Sequence, residues 1–292
     1  MLGAGAAADA QPDVQAALSR LGTYVEAWER DLGSVVADEH YEQAVSRRPR
    51  SELSRERLVP AHQTRRLVAE FTLIRLDDGP TDWIGFRHVT RVDDVSVQSP
   101  GPSLQALLRD PQLSWRERWE RVRDLSAAHN IGAIARTINL PTFALNALRP
   151  GMQARFRFSA RRNESIDGTT WRVFEFREQA RPTLVSGLGG RDVPLRGQVW
   201  FDEMTGRVRR TSLEIRDYIV PTSNGDGSRD RDQELTSRIE VNFRPDGGVG
   251  AWVPAEMRER YDNSWGELTT GHATYGNYRR FQTSVRLVRP GA

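Results

Sequence analysis

Cysteine is absent from the 292 residues, and so is lysine: every basic residue is arginine. Without cysteine there are no structural disulfides, thiolate metal sites or cysteine nucleophiles. No apolar run approaches the roughly 20 residues that a membrane-spanning helix needs. Histidine is scarce, with His40, His62, His88, His129 and His272, and no two stand at the H-x-x-x-H spacing of a helical metal site. No G-x-S-x-G nucleophile elbow occurs. Asp38-Glu39-His40 is the one local carboxylate–imidazole cluster, but strand neighbours point to opposite faces, leaving Asp38 and His40 on one side and Glu39 on the other. No metal, no cofactor and no catalytic residue is therefore expected.

Two further segments invite a chemistry and fail it. Ser186-Gly187-Leu188-Gly189-Gly190 lies between strands, whereas a phosphate cradle needs the amide groups of a helix N-terminus. A calcium loop beginning at Asn224 would need Gly at position six and Glu at position twelve. Arg229 and Leu235 stand there instead, so the stretch reads as a solvated turn.

The charges are 42 basic against 39 acidic, net +3, with a pI of about 9.6. A whole-chain preference for arginine points to GC-rich codons rather than to one selected surface. A nucleic-acid reader clusters its arginines with interleaved aromatics. Here they alternate with acids, as in Trp115-Arg116-Glu117-Arg118-Trp119-Glu120-Arg121, and no nucleic-acid partner is expected.

What is present is an ordinary supply of core residues, 38% hydrophobic, spread along a chain of mean hydropathy −0.61. Val14, Leu18, Leu21, Val25 and Trp28 recur at helical spacing, which predicts a helix over 13–31 with Asp13 as N-cap and Gly33 as stop. A second helical region spans 103–130, broken near Pro111 and capped at Ser114, and a short helix is expected from Pro141. The remainder reads as strands over 34–48, 66–77, 82–92, 153–161, 170–179, 195–202, 207–220, 234–244, 252–262 and 267–281. In 82–92, Ile84, Phe86, His88, Thr90 and Val92 are expected on one face, with Arg87 and Arg91 on the other. Hairpin turns are expected at Asp77–Pro80, Asn163–Gly168, Asp202–Gly206, Ser223–Asp232 and Pro245–Gly248.

About ten strands are too many for a flat open sheet. The expected fold is α+β and mostly antiparallel: one strongly curved open sheet, a half-barrel, with helices covering its concave face. Residues 14–292 form a single domain carrying a helical insertion at 103–148. Residues 1–13 read as a flexible tail or the remnant of an export signal, because Ala8-Asp9-Ala10 has the A-x-A form of a cleavage site. A periplasmic or secreted protein is expected on that ground.

The order of these elements resembles the LolA/LolB-like fold of bacterial lipoprotein carriers. The likeness is closest in Val199-Trp200-Phe201-Asp202-Glu203-Met204-Thr205-Gly206-Arg207-Val208, a strand, Asp, turn, Thr-Gly, strand segment. Trp252–Met257 and Ala273–Phe281 are similar to that family's closing strands. The resemblance implies a concave apolar face lidded by helices and able to shelter an acyl chain. It also implies an arginine that latches the lid, which the motifs do not locate in this chain.

Phe156, Phe158, Leu213, Ile215, Ile239, Val241 and Phe243 form the apolar stripes of that face and are the candidate ligand-binding residues. If the helices pack tightly on them they are core; if the helices only lid them, an acyl chain gains about 0.8 kcal/mol per buried CH₂. The reading this favours is non-catalytic carriage of a hydrophobic ligand or lipidated protein in the cell envelope. The alternatives are an exported interaction or scaffold module with a packed core and, third, an envelope hydrolase. Nothing in the residues fixes an oligomeric state.

Overall fold

The computed structural model describes residues 10–47, 62–75, 83–97, 104–134, 136–187, 190–219, 233–264 and 266–280. The expected turns at Asp77–Pro80 and Ser223–Asp232, the tail before Ala10 and most of the calcium-like stretch lie outside these residues.

The first helix, α1 (Ala10–Leu32), buries Leu18, Leu21, Val25 and Trp28 along the stripe their spacing defines. The expected cap differs: the helix is already formed at Ala10, so Asp13 falls in its first turn and pairs with Arg172 at 2.6 Å. An anion there also suits the helix dipole.

Fourteen strands follow among the described residues, in place of about ten. On one side of the insertion are β1 (Val35–Arg47), β2 (His62–Arg75), β3 (Trp83–Val92) and β4 (Val95–Ser96). After it come β5 (Phe156–Ala160), β6 (Glu164–Ile166), β7 (Thr169–Glu178), β8 (Val185–Ser186), β9 (Asp192–Val193) and β10 (Arg196–Phe201). The last four are β11 (Val208–Ile219), β12 (Gln233–Asp246), β13 (Ala251–Asn263) and β14 (Glu267–Arg280). The surplus over expectation is mostly short. The loose turn expected at Asn163–Gly168 is a β6–β7 hairpin through Asp167 and Gly168, both at positive φ, as a two-residue turn requires.

One antiparallel sheet of twelve strands runs β4-β3-β2-β1-β14-β13-β12-β11-β10-β7-β5, with β6 paired to β7, and β8 and β9 form a separate ribbon. The first and last long strands, β1 and β14, are neighbours at its centre. The sheet is open, because its ends at β4 and β5 do not pair. It curls around α1, which touches both β2 and the far-end strand β5. A single apolar cluster accordingly joins α1 to inward residues of strands along the whole sheet.

The insertion begins at one end of this sheet, after β4, and ends at the other, before β5. It must therefore cross the open mouth. It does so as α2 (Leu104–Arg109), α3 (Trp115–Ala127), an irregular stretch, a 3-10 turn at Phe143–Leu148 and α4 (Pro150–Gln153). Ser114 caps α3 in a capping box with Glu117. Pro150, which needs no hydrogen-bonded N–H, starts α4 rather than continuing the turn before it.

The two helices at the start of the insertion lie against β3. Ile84 and Phe86 form a second apolar cluster with Leu107, Leu113 and Val122. Ser126 Oγ accepts from the Arg87 amide at 3.2 Å, satisfying a donor that an unpaired strand edge would expose. The expected one-sided strand thus has cover on both faces. Arg87, placed correctly opposite Ile84 and Phe86, is on the inner face and fully buried.

Candidate functional site: the concave face and its cover

Six of the seven candidate residues, Phe156, Leu213, Ile215, Ile239, Val241 and Phe243, are buried in the central cluster, and Phe158 is half-buried against it. Phe156, Phe158 and Phe176 pack as a trio with ring centroids 5.8–6.3 Å apart. Phe243 meets the edge of Trp28 at 6.2 Å. The register explains the company they keep: Leu213 stands opposite Ile239, and Thr211 opposite Val241, which faces Met257 in turn. These side chains share one inward face.

The material on that face is α1 and the second part of the insertion. Ile138, Leu140, Phe143, Leu145 and Leu148 are buried in the same cluster as the stripes. Yet Ile131 to Thr142 forms neither helix nor strand among its described residues. Buried irregular backbone is unusual, because its polar groups must find partners one by one.

Those partners are side chains of the sheet. Gln43 Oε1 accepts from the Ile131 amide at 3.1 Å, and Glu267 Oε1 from that of Ala133 at 2.8 Å. Arg87 holds Glu39 through Nε at 2.7 Å and Nη2 at 2.8 Å, and the same Nη2 donates to the Asn139 carbonyl at 3.0 Å. Arg136, on the cover itself, reaches down to Glu259 and Gln43 and donates to the Tyr41 hydroxyl at 2.7 Å. At the far end Arg149 pairs with Glu29 of α1 and donates to the Trp83 carbonyl. The cover is a strap tied at intervals.

The two inner ion pairs are completely buried. Burial works against the Arg87 charge, but the Glu39 carboxylate outweighs it and raises the net proton affinity. The phenols of Tyr41, Tyr261 and Tyr275 are pushed up, chiefly by burial and then by the carboxylates of Glu259 or Glu39. Each of those tyrosines donates to one of these carboxylates. The cluster is charge-balanced and acts as a set of ties between strap and sheet. His40 is exposed on the outer face with Asp38, which bonds Asn277 and Arg279, so the Asp38-Glu39-His40 triplet is divided between faces.

The sequence signs of these ties were faint. Glu39 and Gln43 interrupt the apolar alternation of β1, and Arg136 interrupts an apolar stretch, but their partners lie far away along the chain. The Asp202–Gly206 turn is easier to place. Gly206, at φ +74°, lies so close to α1 that a Cβ would stand 2.4 Å from the Arg20 carbonyl oxygen. Arg20 in return donates to the Glu203 carbonyl at 2.7 Å.

With the architecture defined as an open antiparallel half-barrel under a strap, solved structures of similar course can be set beside it. An outer membrane lipoprotein-sorting protein domain, so described provisionally, from Vibrio parahaemolyticus has 14% identity and a TM-score of 0.41, covering 91% of this chain and 93% of its own. A LolA superfamily protein from Nitrosomonas europaea has 13% identity and a TM-score of 0.32, covering 90% and 94%. A DUF1329 family protein from Desulfovibrio piger has 14% identity and a TM-score of 0.34, covering 93% and 94%. At such identities residue roles do not transfer. No family model and no curated protein matches the chain.

Proposed function

We propose that this protein is a non-catalytic carrier of a hydrophobic ligand, an acyl chain or a lipidated protein, in the cell envelope. The ligand occupies the concave face at Phe156, Phe158, Leu213, Ile215, Ile239, Val241 and Phe243 when the strap over 131–148 lifts. The observation that carries this reading is the strap itself. Its apolar side chains fill the space an acyl chain would take, while the described backbone of its irregular part, 131–142, is held by side-chain ties rather than by a helix or ladder of its own. Lifting it breaks the Arg87–Asn139 and Arg136–Glu259 contacts, and ligand burial must offset that cost. Ten or so methylenes gain about 8 kcal/mol, against about 5–9 kcal/mol lost as Phe143, Leu145 and Leu148 leave the face, so the exchange is nearly balanced. The LolA/LolB resemblance implies the same use, and the Arg87 bond to the Asn139 carbonyl is one of the ties that lifting the strap breaks.

The test is native mass spectrometry on protein purified from a bacterial host without detergent. A mass increment that leaves on denaturation and yields lipid is the expected result; a uniformly unliganded protein that also fails to take up added dodecanoate would overturn it.

The tight packing of the strap favours a second reading, an interaction module whose core never opens. It predicts no lipid uptake and a partner recovered by crosslinking at the loops or sheet edge.

A further inference from the structure

The cleft of most interest outside the concave face lies between α3 and the segment before β9. It has a volume of about 280 Å³, at the small end for ligand sites. Trp115, Trp119 and Arg123, spaced i, i+4 and i+8 on α3, form one wall, and Met152, Pro182 and Leu184 supply apolar surface opposite. Val122 turns to the cluster under β3; Trp119 packs against that cluster as well and, with Trp115, borders the cleft.

Arg123 is the anomaly in this wall. Its guanidinium stacks on the Trp119 ring, 4.1 Å from the centroid. Its Nε is buried without a hydrogen-bond partner, and no ion pair joins it to a described carboxylate. Glu120 and Asp124 on the same helix do support its charge, but burial dominates and lowers its proton affinity. Arg155, on the opposite wall, donates through Nη2 to Glu178 and the Pro182 carbonyl, and leaves its own buried Nε unpartnered. Glu120 also lines the cleft but makes no ion pair with Arg123, so a half-buried cation with an unpartnered donor stands beside an apolar wall. The tryptophans meanwhile offer flat apolar surface next to the charge.

We infer that this cleft binds an anionic amphiphile, with a phosphate or carboxylate head on the Arg123 guanidinium and an apolar chain along Trp115, Met152 and Leu184. A free anion would use only the arginine; a neutral lipid would leave it unanswered. The site is separate from the concave face, and its occupation does not need the strap to lift.

Calorimetric titration with decyl phosphate below its micelle concentration tests it, with decyl maltoside and inorganic phosphate as comparisons. Saturable decyl phosphate binding, weakened at least tenfold by Arg123→Gln and by Leu184→Glu but kept within a few-fold by Arg123→Lys, is the expected result. Val241→Thr, on the concave face, should leave the component of binding that Arg123→Gln removes unchanged, which separates this site from the proposed carrier face. Equal affinity in Arg123→Gln, or equal affinity for decyl maltoside, would overturn the assignment. Inorganic phosphate binding as tightly as decyl phosphate would do so too, making the cleft a free-anion site.

Discussion

Arg87 and Glu39 meet in a two-pronged ion pair that spans a strand. Arg87 on β3 crosses β2, whose inward residue opposite Glu39 is the small Ala69, to reach Glu39 on β1. Both side chains are wholly enclosed, and the spare reach of Nη2 ties the strap at Asn139. One residue thus couples three sheet strands to the cover.

Removing one partner leaves the other charged and buried, which costs about 3–5 kcal/mol. Arg87→Met should therefore lower the free energy of urea unfolding by that order. Combining it with Glu39→Leu should recover a large part of the loss. Additive losses in the double variant would show that the two side chains act independently.

The buried phenols make stability sensitive to alkali. Tyr41, Tyr261 and Tyr275 are all held above the ordinary value of 10.0. Above that pH the unfolded chain has released protons that the native state still keeps. Stability is thus fully present below about pH 10 and falls as pH rises, by up to about 1.4 kcal/mol per pH unit for each tyrosine. Urea midpoints measured from pH 8 to 11.5 should be level and then drop steeply. Tyr275→Phe should make the drop shallower by about one proton; an unchanged slope would exclude Tyr275 from it.

Ser114 and Glu117 cap α3 reciprocally, with Ser114 Oγ accepting from the Glu117 amide at 3.3 Å and Glu117 Oε2 accepting from the Ser114 amide at 2.8 Å. Ser114→Ala should cost about 1 kcal/mol. Because α3 also walls the Arg123 cleft, hydrogen exchange in 115–127 should quicken while the central strands stay protected. Uniform change across both would place the loss elsewhere.

The strands and α1 were legible because their periodicity is local: β12 alternates Ile239, Val241 and Phe243 with Arg238, Glu240 and Asn242, and one face must be dry. The break between α2 and α3 was legible from Pro111, and the start of α3 from Ser114. The ties were not. Arg87 and Arg136 are two arginines among many, and what makes them special is a carboxylate 48 or 123 residues away. No periodicity reports a partner that only the sheet register brings near. The strap was hidden for a related reason. Its apolar residues read as a short helix from Pro141, whereas the structure spends them on a buried 3-10 turn preceded by irregular backbone. Whether the stripe is lidded or packed depends on that difference.

The strap also supplies the sharpest test, because a segment that fills its own binding face is an internal competitor. Leu145 is almost fully buried on the concave side, and Leu145→Ala should weaken strap docking by about 2–5 kcal/mol. A ligand that needs the strap raised then binds more tightly, since its apparent affinity scales with the open fraction. The measurement is the dissociation constant of dodecanoate for the wild type and for Leu145→Ala, by calorimetry on protein stripped of lipid. The account predicts at least tenfold tighter binding by the less stable variant. Weaker or unchanged binding would contradict it, and would mean that the strap is part of the core and not a stand-in for the ligand.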